Sequence, residues 1–205
     1  ADAMEAEVER LWGQLSPFYE QLHCYVRARL NDRYGDAVVP MDQPIRADLL
    51  GNMWAQDWST LMPLVRPAGG SPTYATTQLL TRAHYTPVQM AETAERFYTS
   101  LGFPELPDSF WERSLLTRPR DRDVVCHASA WDIDNADDLR VKQCIQVNAE
   151  HFQTIHHELG HNFYQRAYNQ QPFLYRNGAH DGFHEAICDF IALNITPQYL
   201  VDINL

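Results

Sequence analysis

The stretch His157-Glu158-Leu159-Gly160-His161 sets two imidazoles four residues apart with a carboxylate beside the first. On a helix, positions i and i+4 share one face about one turn apart, so both rings can grip a single Zn²⁺. Glu158 then sits beside the ion, where a carboxylate can take a proton from an attacking water. A catalytic zinc takes three protein ligands. Further along, Glu185 and Asp189 are again i and i+4. One carboxylate can bind the metal while the other accepts an imidazole N–H. His184 competes as third ligand, but on a helix it points about 100° away from Glu185. His156 likewise points away from the His157/His161 pair, and both read as structural or pocket-lining.

The elements that must carry these groups follow from periodicity. Phe152, Ile155, Leu159 and Phe163 form an apolar helix face distinct from the His157/His161 face. One side can bury in a core while the other looks into a cleft. After a loop from Gln171 to Gly182, a second helix carries Phe183, Ala186, Ile187, Phe190 and Ile191, and Pro197 is expected to end it. Within Asp123 to Asp132, Val124, Val125, Cys126 and Ala128 suggest one strand and Val141 to Val147 another, joined through Asp134, Asn135, Asp137 and Asp138, which favour a turn. An edge strand there could accept an extended peptide by backbone pairing.

Upstream, Met4, Val8, Leu11, Leu15, Tyr19, Leu22, Val26 and Leu30 recur every three or four residues, giving a helix from about Asp2 to Arg33. Pro17 should end or kink a turn in it. The helix starts inside its own hydrophobic period without a clear cap, which points to further chain upstream. Asp48 to Val65 reads as a second helix, and Thr86-Pro87 opens a third that runs through Leu101. A shorter one covers Ser109 to Leu116. The fold class is therefore mainly α, with long helices and one small antiparallel hairpin beside the His-Glu-x-x-His helix. No linker or second domain is evident.

Composition sets the outer limits. The 205 residues are 45% hydrophobic and 21% charged, which excludes a disordered chain, a collagen-like fibre and a coiled-coil rod. Sixteen basic against twenty-seven acidic residues give −11, so a nucleic-acid partner is not expected. Six of the nine histidines lie between His151 and His184. No apolar run reaches the roughly 18 residues that span a bilayer, and no signal-peptide pattern is visible. The four cysteines show no C-x-x-C spacing. Cys126 and Cys144 flank the hairpin. Pairing them would stabilise the fold by about 3 kcal/mol, with two buried thiols as the alternative. Cys24 and Cys188 fall on helix faces and read as small buried thiols.

The segment from His157 to Asp189 resembles the angiotensin-converting enzyme, or peptidyl-dipeptidase A, family. The likeness is carried by His-His-Glu-x-Gly-His and by Arg-x-Gly-Ala-x-x-Gly-Phe-His-Glu-Ala-Ile with the following Asp. Cys126-His127-Ala128-Ser129-Ala130-Trp131-Asp132, Lys142-Gln143-Cys144, Gly51-Asn52-Met53-Trp54-Ala55-Gln56 and Leu22-His23-Cys24-Tyr25-Val26-Arg27 resemble the same family. The likeness runs in order along essentially the whole chain.

That resemblance implies zinc held by His157, His161 and Glu185, with Glu158 as general base and later proton donor. It implies Asp189 as partner of a ligand histidine and a Cys126–Cys144 disulfide. His127 and the Ala128 backbone would contact an oligopeptide substrate, and Gln56 would help hold its C-terminal carboxylate. Gln153 and Thr154 fall where the family lines a side-chain subsite, although its residues there are often aliphatic. Cys24 and Cys188 stand where relatives usually have Ala or Gly.

The family's catalytic domain is longer than this chain. Its later part supplies the Lys and Tyr of the carboxylate clamp, the His and Tyr that stabilise the oxyanion, and the Arg residues of chloride sites. None has a counterpart here. Residues 1–205 are thus expected to be the zinc-binding portion of a larger helical domain, with the remainder of that domain as partner and chloride a cofactor only of the longer protein. The expected activity is release of C-terminal dipeptides in an extracytoplasmic setting (secreted, periplasmic or cell-surface). Two alternatives stand beside it: a zinc-binding or interaction fragment without turnover, and a zinc endopeptidase of another thermolysin-like family. The hairpin and the Met53–Gln56 segment argue against the latter. Asn194-Ile195-Thr196 is also an N-x-T sequon.

Overall fold

The computed structural model describes residues 2–51, 54–55, 57–67 and 76–205. Gln56, expected in the carboxylate clamp, lies outside the described residues, as do Asn52 and Met53 of the same segment. The fold is mainly α with one small antiparallel hairpin. Its contacts divide the chain into two compact units, Ala1–Pro72 and Thr73–Leu205.

The first unit is built on α1 (Asp2–Tyr34), followed by 3-10 turns at Ala47–Leu49 and Ser59–Leu61 and the single-turn α2 (Met62–Val65). Contrary to the sequence expectation, α1 runs through Pro17 without a break. Proline removes one N–H from the ladder, but Gly13, whose carbonyl loses that partner, is solvent-exposed, so water can replace it. The predicted apolar stripe is buried only at Val26 and Leu30, which pack with Val39, Ile45, Leu50 and Leu61. Met4, Val8, Leu11, Leu15, Tyr19 and Leu22 are exposed, as is Cys24. Among the described residues, the helix expected over 48–65 does not form as one element; only Met62–Val65 is α-helical. Gly51 and Ala55 both take left-handed conformations (φ 85° and 57°), and a β-carbon on Gly51 would collide with the Asp57 carbonyl oxygen. The Asp57 side chain then accepts the Ser59 N–H at 2.9 Å, a local bond that competes with helix.

The second unit holds α3 (Thr76–Arg82), α4 (Pro87–Ser100), α5 (Asp108–Arg113), β1 (Ser129–Asp132), β2 (Leu139–Lys142), α6 (Ala149–Tyr168), a 3-10 turn at Phe173–Tyr175, α7 (Asp181–Ala192) and α8 (Pro197–Asp202). Thr86 and Gln89 form a reciprocal capping box that starts α4. Its inner face buries Met90, Ala91, Ala94 and Tyr98 against Phe152, Ile155, Leu159 and Phe163 of α6. Each large side chain removed from water there contributes about 1.5–3 kcal/mol. Tyr98 stacks on Phe163 at 4.4 Å and donates its hydroxyl to the His156 carbonyl at 2.7 Å.

Both strands are short and lie closer to the turn than the sequence predicted: the first is later and the second earlier. Ser129 pairs with Lys142 and Asp132 with Leu139, whereas 124–128 is not strand. Its turn is held by Asp134, whose Oδ1 accepts the N–H groups of Ala136, Asp137 and Asp138. Leu115 bridges to the far side of β2. β1 therefore remains an edge strand among the described residues. Pro197 opens a helix instead of ending one: α7 stops at Ala192, and Thr196 caps α8 by accepting the Tyr199 N–H. No described helix is long and apolar enough to cross a membrane.

Candidate active site

Helix α6 starts sharply because the Asn148 side chain accepts the His151 N–H at 2.7 Å. With its apolar face committed to the core, the opposite face turns His157 and His161 outward together, ring centroids 4.9 Å apart. Helix α7 packs on that side. It approaches closely because residue 160 has no side chain: a β-carbon there would stand 2.8 Å from Cys188 Sγ and 2.9 Å from the Tyr98 hydroxyl.

This close packing delivers two carboxylates to the histidines. Glu185 places one oxygen 3.2 Å from His157 Nε2 and the other 3.7 Å from His161 Nε2. Asp189 lies 2.9 Å from His157 Nδ1. The three groups expected as ligands thus converge, and the fourth residue holds the outer nitrogen of the first ring. Two imidazoles and a carboxylate suit Zn²⁺ and leave one coordination position open, so the residues present fit that ion. Cys188 also lies close to both histidines. Its sulfur, however, faces His161 Nδ1 at 3.2 Å, the nitrogen turned away from Glu185. Burial pushes that thiol up to about 12, away from the thiolate form that binds metals.

Glu158 is buried, and desolvation raises its pKa, countered by His157 and His127 and reinforced by Glu185. Burial pushes His161 down to about 4, which keeps it neutral, the form that can coordinate. His156 is fully buried and structural, as its helical position implied. Its Nδ1 lies 2.7 Å from the Phe152 carbonyl and its Nε2 2.9 Å from the Tyr199 hydroxyl.

Two hollows meet at this point. One of about 480 Å³ runs past Gln143, Gln153 and Thr154; the other, of about 450 Å³, runs past Ser129, Gln165 and Glu185. His127, Ala128, His157 and Glu158 line both. The Cys126–Cys144 disulfide forms, with Cα atoms 5.4 Å apart, and ties the His127-Ala128 segment to the chain beyond β2.

Sequence reasoning missed the polar side chains that pin the hairpin to α6. Asn162 donates to the Trp131 carbonyl at 3.1 Å, Gln143 donates to the His151 carbonyl at 2.9 Å, and Asn169 bonds Asp132. Asn162 and Asn169 follow His161 and Tyr168 on the helix, and neither carries a local pattern that distinguishes it from an exposed residue. Gln143 stands out in the sequence only through the family resemblance of Lys142-Gln143-Cys144.

A His-Glu-x-x-His helix is faced by a carboxylate-bearing helix, with a buried glutamate beside the first histidine, an arrangement that matches the zincin motif in residue type and spacing. The family model described as angiotensin-converting enzyme matches residues 1–205. The chain belongs to the angiotensin-converting enzyme family. It is 46% identical over 200 residues to the angiotensin-converting enzyme of Theromyzon tessulatum and 47% identical over 204 residues to that of Bos taurus. It is 44% identical over 203 residues to that of Haematobia irritans exigua. These alignments cover 97%, 98% and 98% of the chain but only 32%, 16% and 33% of the relatives, so it spans a third or less of their length.

Proposed function

We propose that residues 1–205 are the metal-binding portion of a zinc peptidyl-dipeptidase, which releases dipeptides from the C-termini of oligopeptides. The observation that carries this reading is the convergence of His157 Nε2, His161 Nε2 and the Glu185 carboxylate next to the buried Glu158. Bound zinc supplies Lewis-acid polarisation of the scissile carbonyl and makes water a stronger acid. Glu158 takes the proton from the attacking water and hands it to the leaving amine, a role its raised pKa suits because it must both accept and release. Asp189 accepts the Nδ1–H of His157 and so holds that ring in the tautomer with Nε2 free.

His127 and the Ala128 backbone line both hollows and contact the peptide substrate. The open edge of β1 offers backbone groups to an extended peptide. Gln56 contributes to the clamp on the substrate carboxylate. The remainder of the catalytic domain supplies the other wall. The disulfide favours an oxidising, extracytoplasmic location.

For the 205 residues alone, a second reading is zinc binding without turnover. It is favoured by the exposure of Phe173, Leu174, Phe190 and Leu193, apolar side chains before, on and just after α7. Zinc content and cleavage of a blocked tripeptide separate the cases. The peptidase reading fails if the full-length parent holds zinc and cleaves nothing, or if its Glu158→Gln variant stays active.

A further inference from the structure

The two ring nitrogens of His161 have different company. Nε2 faces Glu185, while Nδ1 lies 2.7 Å from Nδ1 of His184 and 3.2 Å from Cys188 Sγ. Two ring nitrogens facing one another at that distance share a single hydrogen. Two bare lone pairs would repel, and two N–H groups would collide. A ring that presents Nε2 to a metal carries its hydrogen on Nδ1. His184 Nδ1 is then the acceptor. Cys188 is the poorer candidate, because its own S–H donates to the His184 carbonyl at 3.1 Å and its sulfur is a weak acceptor.

His184 is also a ring with little freedom. Tyr164 packs against it at 4.7 Å between centroids and Tyr168 at 6.0 Å, both nearly edge-on. On another side the chain comes so close that a β-carbon at Gly178 would stand 2.9 Å from His184 Cδ2. These contacts hold Nδ1 where His161 needs it.

We propose that His184 is a positioning residue for the metal centre: it accepts the Nδ1–H of His161 and holds that ring in the tautomer that presents Nε2. This rests on the zinc reading above. His184 then does for His161 what Asp189 does for His157, with a neutral ring in place of a carboxylate.

Imidazole proton–nitrogen correlation spectra of the ¹⁵N-labelled metal-free chain report the tautomer of His161 directly, and competition with a chromophoric chelator reports zinc affinity. The wild-type chain should show His161 as the Nδ1–H form. His184→Phe keeps a ring between the two tyrosines but offers no acceptor. It should shift His161 toward the Nε2–H form and weaken zinc binding about 10–100-fold. His184→Asn returns an acceptor near the same place and should recover most of the loss, while Cys188→Ala should leave the tautomer unchanged. Wild-type His161 in the Nε2–H form overturns the inference, as does a His184→Asn variant that is as impaired as His184→Phe. A wild-type chain that binds no zinc overturns the zinc reading instead, so the two failures are distinguishable.

Discussion

A β-carbon added to Gly160 would stand 2.8 Å from the sulfur of Cys188, closer than side-chain carbons come to their neighbours. The contact between these two residues sets how near α7 approaches α6, and through it the reach of Glu185 to both histidines. Gly160→Ala should therefore destabilise the second unit by about 1–3 kcal/mol through overpacking. It should also weaken zinc binding by moving Glu185. Cys188→Gly in the same chain should restore part of both, because it removes the closest of the three contacts; the Tyr98 hydroxyl and the α-carbon of residue 188 remain. Thermal melts and chelator competition on the double-mutant cycle check this. Additive effects would show that the Gly160–Cys188 contact does not control the spacing.

The roles of Glu158 and Asp189 separate by readout. Glu158→Gln in the full-length parent should lower turnover about 10²–10⁴-fold with zinc retained. Asp189→Ala should instead weaken zinc binding about 10–100-fold. Because burial raises the Glu158 pKa, the parent's activity should fall with decreasing pH from above the ordinary carboxylate range. Metal analysis paired with a pH–rate profile tests all three.

Acid should destabilise the chain through His156. Burial pushes this ring from its ordinary value of 6.5 to about 4 in the folded state. Between these values the unfolded chain binds a proton that the folded chain refuses, so stability rises with pH across that window and is lost as pH falls through it. The full effect is on the order of 3 kcal/mol at about 1.4 kcal/mol per unit. His156→Gln keeps polar atoms for the Phe152 carbonyl and Tyr199 without titrating. Urea melts between pH 7 and 4.5 should show a shallower slope for the variant, and an unchanged slope would rule the mechanism out.

Reduction of Cys126–Cys144, or its replacement by serines, should cost about 3 kcal/mol, since the two residues are 18 apart in sequence. Zinc binding should survive, because His157, His161 and Glu185 sit on α6 and α7, which the disulfide does not join. Substrate binding in the parent should suffer, because His127 and Ala128 follow Cys126 directly. Melting with and without reductant, together with zinc content and KM, separates these effects.

Features that depend on near neighbours along the chain are legible without the fold. The i, i+4 pairing of His157 with His161, the buried face of α6, the Thr86 cap and the Asp134 turn are all set within a few residues. Local spacing reaches no further, which is why 48–65 and Pro197 read wrongly. A glycine and an alanine in left-handed conformation break the first, and a proline suits the first turn of a helix as readily as the end of one. Which of Glu185, His184 and Cys188 faces which nitrogen of His161 depends on packing between helices. All three lie within four residues on α7, and their assignment depends on the axial rotation of that helix and its approach at Gly160. Packing set both, placing the carboxylate at Nε2 and the ring and sulfur at Nδ1.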